Sequence, residues 1–159
     1  MRWNWASRRA CEDLRVAGRL HDVGKIGISE AILNKPGRLT AEEFEHVKQH
    51  VQIGLDILAP LNHIKELLKY VEHHHERWDG VGYPLGLSGE AIPLGARILC
   101  AADTFDALTS KRAYREPLEP LAALDRLRVD AGKQFDPGVY DALVSVITRR
   151  VASISAASS

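Results

Sequence analysis

Net charge is the first thing this 159-residue chain lacks: Lys and Arg number 21, Asp and Glu also 21. No global positive field is available to hold nucleic acid or an anionic membrane surface, so any anion site must be local. Cysteine is nearly absent too. Cys11 and Cys100 are isolated thiols without C-x-x-C spacing, which excludes a disulfide framework and a thiolate zinc site and fits a reducing cytoplasm, with both read as core filler. No apolar run approaches the roughly 20 residues that span a bilayer. The opening "MRWNWASRRACED" has no hydrophobic stretch of secretory type. Also missing are sustained strand alternation, internal repeats and a low-complexity linker, which leaves a compact all-α bundle of one domain.

What is present is helical periodicity cut by Pro and Gly. Leu14, Ala17 and Leu20 recur at helical spacing up to "HDVGK", predicting a helix over about 11–23 with His21 and Asp22 in its last turn. Thr40 and Glu43 form a T-x-x-E capping box, and Phe44, Val47, Val51, Leu55 and Leu58 follow on one face of a helix that stops before Pro60. A third helix carries Ile64, Leu67, Leu68 and Val71 to a triple histidine. Pro93 suits the first turn of a helix that is apolar nearly all round from Ile98 to Ala102, and Pro120 opens another that Gly132 ends. Asp136-Pro137 starts the last, ending near residue 149. The expected layout is an irregular or truncated segment over 1–12, one domain over 13–150 and a flexible tail over 151–159.

Polar groups at the edges of these apolar faces carry the chemistry. Val71 lies on a buried stripe, so His74 and His75, three and four residues on, flank it, while His73 points to solvent. Adjacent imidazoles there need partners, and neutral imidazole is a common metal ligand. His50 borders the apolar face of the second helix. Asp103 follows five apolar residues in the helix expected to be most buried, where a carboxylate persists only if paired or metal-bound. His21, Asp22, His50, His74, His75 and Asp103 thus form an N/O ligand set from four helices, suited to Fe or Mn more than to structural zinc. Six donors exceed one tetrahedral site. Two ions about 3.5–4 Å apart, bridged by Asp22, would use them and form a hydrolytic centre. A competing di-metal pattern, Glu43-x-x-His46 and Glu72-x-x-His75, is of the ferritin type, but Glu43 is needed by the capping box.

"HDVGK", "KQHVQIG", "HHHERWDGVGYP", "ADTFDALTSKRAYR" and "GKQFDP", in that order, resemble the HD-GYP family. The resemblance runs from about Leu14 to Val146 and implies a helical, metal-dependent phosphodiesterase that opens cyclic di-GMP to pGpG or GMP. It implies that His21, Asp22, His50, His74, His75 and Asp103 ligate metal, with Asp22 bridging. Lys25 would meet the scissile phosphate, Arg112 and Arg115 (and more weakly Lys111) the substrate's phosphates; Glu76 and Asp106 would orient ligands or water. Family members carry further helices before the HD helix that add a histidine and in some cases a glutamate. Only 20 residues precede His21 and none is histidine, so the expectation is two divalent ions, Fe or Mn, with a third in doubt, in a domain lacking its N-terminal helices. Lost helices would expose apolar surface and favour a homo-oligomer. The resemblance further implies an upstream sensory or receiver domain, GGDEF-type protein partners and bacterial second-messenger signalling. The alternative is a catalytically impaired domain that binds cyclic di-GMP or a protein; hydrolysis of another cyclic dinucleotide is a third reading.

Overall fold

The computed structural model describes residues 8–111 and 116–157. Helices joined by turns and loops make up these residues, with no strand among them and one isolated bridge between Ala131 and Phe135. The order is α1 (Arg8–Leu20), a 3-10 turn Val23–Gly27, α2 (Glu30–Leu33), α3 (Ala41–Lys48), α4 (His50–Leu58), a 3-10 turn Asn62–Ile64, α5 (Lys65–Glu72), a 3-10 turn Gly89–Ala91, α6 (Leu94–Thr109), α7 (Pro120–Arg128) and α8 (Pro137–Ala157).

Two apolar clusters hold these helices. Ala17, Leu58, Ile64, Leu67, Val71 and Leu99 join α1, α4, α5 and α6; Cys100, Ala101, Leu127, Phe135 and Val139 join α6, α7 and α8. Helix α6 serves both, and its residues explain how. Small residues at Gly95, Ala96 and Ala101 are buried and let neighbours approach: a Cβ on Gly95 would lie 2.6 Å from the Tyr70 ring. The turn after α1 packs as tightly. A Cβ on Gly24 would sit 1.9 Å from the His50 carbonyl oxygen, so only glycine lets the HD turn rest directly on α4.

The Thr40–Glu43 capping box is present, with Glu43 N–H donating to Thr40 Oγ1 and Thr40 N–H to Glu43. Several expectations are corrected. The helix expected over about 41–58 is two helices broken at Gln49, whose N–H bonds to His46 and Val47 carbonyls rather than one full turn back. Helix α8 does not end near residue 149 but runs to Ala157; 151–157 contain neither Gly nor Pro to stop it. Helix α1 spans Arg8–Leu20 rather than about 11–23, so His21 and Asp22 lie in the turn beyond it and not in its last turn. Pro93 is the residue before α6, in extended conformation, and α6 is buried on one face only, with Ala102 and Asp106 exposed. Cys100 is buried as expected, whereas Cys11 is exposed. No helix among the described residues is long and apolar enough to cross a membrane.

Candidate metal centre

Three of the candidate ligands sit where helices end, while Asp103 lies within α6. His21 follows α1, His50 follows α3 across the Gln49 break, and His74 follows α5. At each end intrahelical partners for the carbonyls run out. His21 Nδ1 is 2.8 Å from Gly18 O, His50 Nδ1 2.7 Å from Val47 O and His74 Nδ1 2.6 Å from Val71 O. A carbonyl only accepts, so each Nδ1 must carry the proton, and each Nε2 is left to point inward.

Those Nε2 atoms converge on the carboxylates. His21 Nε2 is 3.4 Å from Asp22 Oδ2 and 3.5 Å from Asp103 Oδ1, while His50 Nε2 is 3.7 Å from Asp22 Oδ1 and 3.3 Å from His75 Nε2. Asp22 therefore divides its two oxygens between two groups. In one, Asp22, His50, His74 and His75 place donor atoms within 4.8 Å of one another; in the other, His21, Asp22 and Asp103 do so. All six sequence-predicted ligands are brought together, with Asp22 common to both groups. His21 Nε2 and His74 Nε2 are buried without a hydrogen-bond partner. Inward-facing orphaned nitrogens beside two carboxylates fit a bound cation better than a closed hydrogen-bond network.

Protonation follows the same division. Burial lowers the pKa of His74, to about 4, and of His50 and His75, which keeps these rings neutral, the form that binds metal. For His21 burial works in the same direction, but Asp103 and Asp22 outweigh it and push the pKa up to about 10. Burial opposes ionisation of Asp22, yet His21 and Lys25 hold it well below the usual carboxylate range, and His21 also lowers Asp103. The acidic pair is thus built to face positive charge, here the His21 proton and the Lys25 ammonium.

Lys25, in the 3-10 turn, donates to Asp22 at the edge of the cluster with its side chain 41% exposed. Arg112 and Arg115 lie outside the described residues; Lys111 is exposed. His73, expected to face solvent, is instead buried, with Nδ1 3.9 Å from Glu76 and Nε2 3.6 Å from Glu72. The chain turns back after α5 and covers it. Glu76 is buried and accepts the Leu85 N–H at 2.7 Å, fastening the loop after Asp79. Asp106 is exposed and accepts from Ser110. The ferritin-type acids stay outside: Glu43 is held by Thr40 and Lys35, and Glu72 lies against His73. Tyr83, in the loop after Asp79, stacks its ring on His75 with centroids 4.7 Å apart. That contact depends on the path of an eight-residue loop and leaves no periodic signal.

Comparison with known proteins places this geometry. The HD domain family matches over residues 3–139. The response regulator RpfG of Xanthomonas campestris pv. campestris, a cyclic di-GMP phosphodiesterase, is 47% identical over 82% of this chain and 35% of that protein. A cyclic di-GMP phosphodiesterase of Thermotoga maritima is 41% identical over 91% of this chain and 43% of its own length. The 3'3'-cGAMP-specific phosphodiesterase 2 of Vibrio cholerae is 40% identical over 82% of the chain. The crystal structure of the V. cholerae cyclic GMP-AMP phosphodiesterase V-cGAP3 superposes with a TM-score of 0.64 at 21% identity, over 89% of this chain and 39% of that one, a likeness of fold. The chain spans roughly a third to two-fifths of the length of the first two relatives. Its helical architecture, its HD pair and its matched span agree: the chain belongs to the HD domain family, of the HD-GYP type.

Proposed function

We propose that helices α1 to α8 form a metal-dependent phosphodiesterase unit that hydrolyses cyclic di-GMP to pGpG or GMP. The observation that carries this reading is the convergence of His21, Asp22, His50, His74, His75 and Asp103 into two donor groups sharing Asp22. Two divalent ions held there, Fe or Mn by the N/O character of the donors, would supply Lewis-acid polarisation of phosphoryl oxygens and a water of lowered pKa. The chain's own residues do the rest. Asp22, with one oxygen toward His21 and the other toward His50, joins the two halves of the site. Lys25, beside Asp22 and open to solvent, offers its ammonium to a phosphoryl oxygen whose charge grows as phosphorus is attacked in line and the 3′-oxygen leaves. Arg112 and Arg115 are assigned to the remaining phosphate. Glu76 anchors the loop that follows it by accepting the Leu85 N–H.

The names of the relatives support cyclic dinucleotides as the substrate class, and the 3'3'-cGAMP-specific relative, 40% identical, favours a second substrate, 3'3'-cGAMP. In the cell this unit would act in the cytoplasm downstream of a sensory or receiver domain, alongside GGDEF-type proteins and as a homo-oligomer. The test is to assay purified protein with Mn²⁺ or Fe²⁺ against cyclic di-GMP and 3'3'-cGAMP, resolving products beside an Asp22→Ala control. Turnover lost in the control is the expected result; tight binding without turnover would replace the enzyme with a binding domain.

A further inference from the structure

Three of the four clustered histidines are oriented by a helix-end carbonyl; His75 is not. No carbonyl among the described residues accepts from its ring, whose Nε2 lies 3.3 Å from His50 Nε2. We propose that Tyr83 is the positioning residue for His75, holding by ring stacking the orientation that backbone carbonyls give the other three. The proposal rests on the reading of His75 as a metal ligand.

The stack is nearly parallel, with an interplanar angle of 24° and centroids 4.7 Å apart, within the range where aromatic pairs attract beyond their buried area. Rotation of His75 about its Cβ–Cγ bond would break it. For Tyr83 to act as a stop it must itself be fixed, and its own contacts together with those of its neighbours in the loop fix it. Its N–H donates to His75 O at 3.2 Å, so ring and backbone both grip the same residue. Gly82 presses against the 75–77 turn so closely that a Cβ would lie 2.4 Å from Arg77 N and 2.6 Å from His75 O. Two residues after Tyr83, Leu85 N–H is held by buried Glu76 at 2.7 Å. From the other helix, Phe44 meets the Tyr83 ring edge-on at 6.1 Å, and the Lys48 ammonium stands 4.9 Å from the Phe44 centroid and 5.4 Å from that of Tyr83. The clamp uses no ligand atom, so it pre-forms the His75 orientation before a metal arrives, and outer-layer supports of this kind set metal affinity by about 10–100-fold.

The experiment compares the whole chain with Tyr83→Phe and Tyr83→Leu. In metal-free protein, NMR of the histidine rings should show His75 protons shifted by the Tyr83 ring current in wild type and Tyr83→Phe. In Tyr83→Leu they should return toward free-histidine positions, while His50 and His74 stay put. Mn²⁺ affinity by chelator competition should fall about tenfold or more in Tyr83→Leu and stay within about twofold in Tyr83→Phe. Unchanged His75 shifts and affinity in Tyr83→Leu would overturn the proposal, as would equal losses in Tyr83→Phe, which would move the role to the hydroxyl. Should Tyr83→Leu not fold, ring-to-ring NOEs between Tyr83 and His75 in wild type decide, and their absence overturns it. A wild type that binds no Mn²⁺ brings down the metal reading and this proposal together; one that binds and hydrolyses, with Tyr83→Leu binding equally well, brings down this proposal alone.

Discussion

The two apolar clusters flanking α6 treat buried polar groups in opposite ways. On the α7–α8 side, Arg97 and Asp136 pair at 2.6 Å with little exposure, and Asp136 also accepts the Gly138 and Val139 N–H groups that open α8. The Trp78 ring stands 5.6 Å from the same guanidinium. The two charges there are spent on each other, with Arg97 Nε alone left without a hydrogen-bond partner. On the α1–α5 side the set is open: His74 Nε2 is buried without a hydrogen-bond partner, and Asp22, which accepts from Lys25, also faces the His21 and His50 imidazoles at 3.4 and 3.7 Å. A closed pair locks structure, whereas an open set of the same cost is kept for something that binds. A cavity of about 490 Å³ beside α8, lined by Leu94, Ile98, Ala102, Val139, Leu143 and Val146, makes the contrast sharper: roomy but apolar, it offers no group to a phosphate.

If that contrast is right, perturbing the two sides separates stability from chemistry. The largest effect is expected from Gly24→Ala, which would force a methyl carbon to 1.9 Å from His50 O and 2.5 Å from Gly54 N, backbone atoms that cannot give way. Loss of the folded state, seen as collapsed NMR dispersion, is the expected outcome. Asp136→Ala comes next: it strands the Arg97 charge and removes the α8 cap, costing about 3–5 kcal/mol in urea titrations while leaving Mn²⁺ stoichiometry per folded molecule unchanged. A matching loss of metal binding would erase the distinction between the two sides.

Asp22→Ala should do the reverse. Turnover of the cyclic dinucleotide should drop more than about a hundredfold, beyond the cost of removing an outer-layer support, with the melting temperature of metal-free protein moving by less than about 5 °C. The smallest expected effect is the pH response of metal-free protein. His74, with its pKa lowered to about 4, and the similarly lowered His50 and His75 give stability that is complete above the unfolded value of 6.5 and lost as pH falls. Depressed Asp22 and Asp103 extend that loss at lower pH. His21, raised to about 10, works the other way: its contribution is complete below 6.5 and disappears as pH rises through 10. Melting temperature in chelator should therefore peak near neutrality, and His21→Gln should flatten the alkaline limb and, by removing the partner that lowers Asp22 and Asp103, part of the acid limb as well.

The parts of this arrangement that obey a local rule were legible in the chain. Helical spacing put His74 and His75 beside Val71, a buried run made Asp103 costly without a partner, and T-x-x-E marked the start of α3 and removed Glu43 from the ligands. What was not legible depends on chain reversal. His73 is buried because the turn after α5 folds over it, the break at Gln49 reflects how α3 hands over to α4, and the Arg97–Asp136 pair joins residues 39 apart in sequence. No periodicity in the chain foretells the partner that Arg97 finds at the start of α8.

The helix-end bonds of His21, His50 and His74 carry one further implication. Their acceptors are main-chain oxygens of Gly18, Val47 and Val71, atoms every residue possesses. Side-chain supports of a metal site can be lost by a single codon change; these cannot. For three of its imidazoles the centre has no mutational target behind the ligand itself, so substitutions at positions 18, 47 and 71 should be tolerated as far as the helix tolerates them. Drift at those positions would leave the orientation of the rings intact.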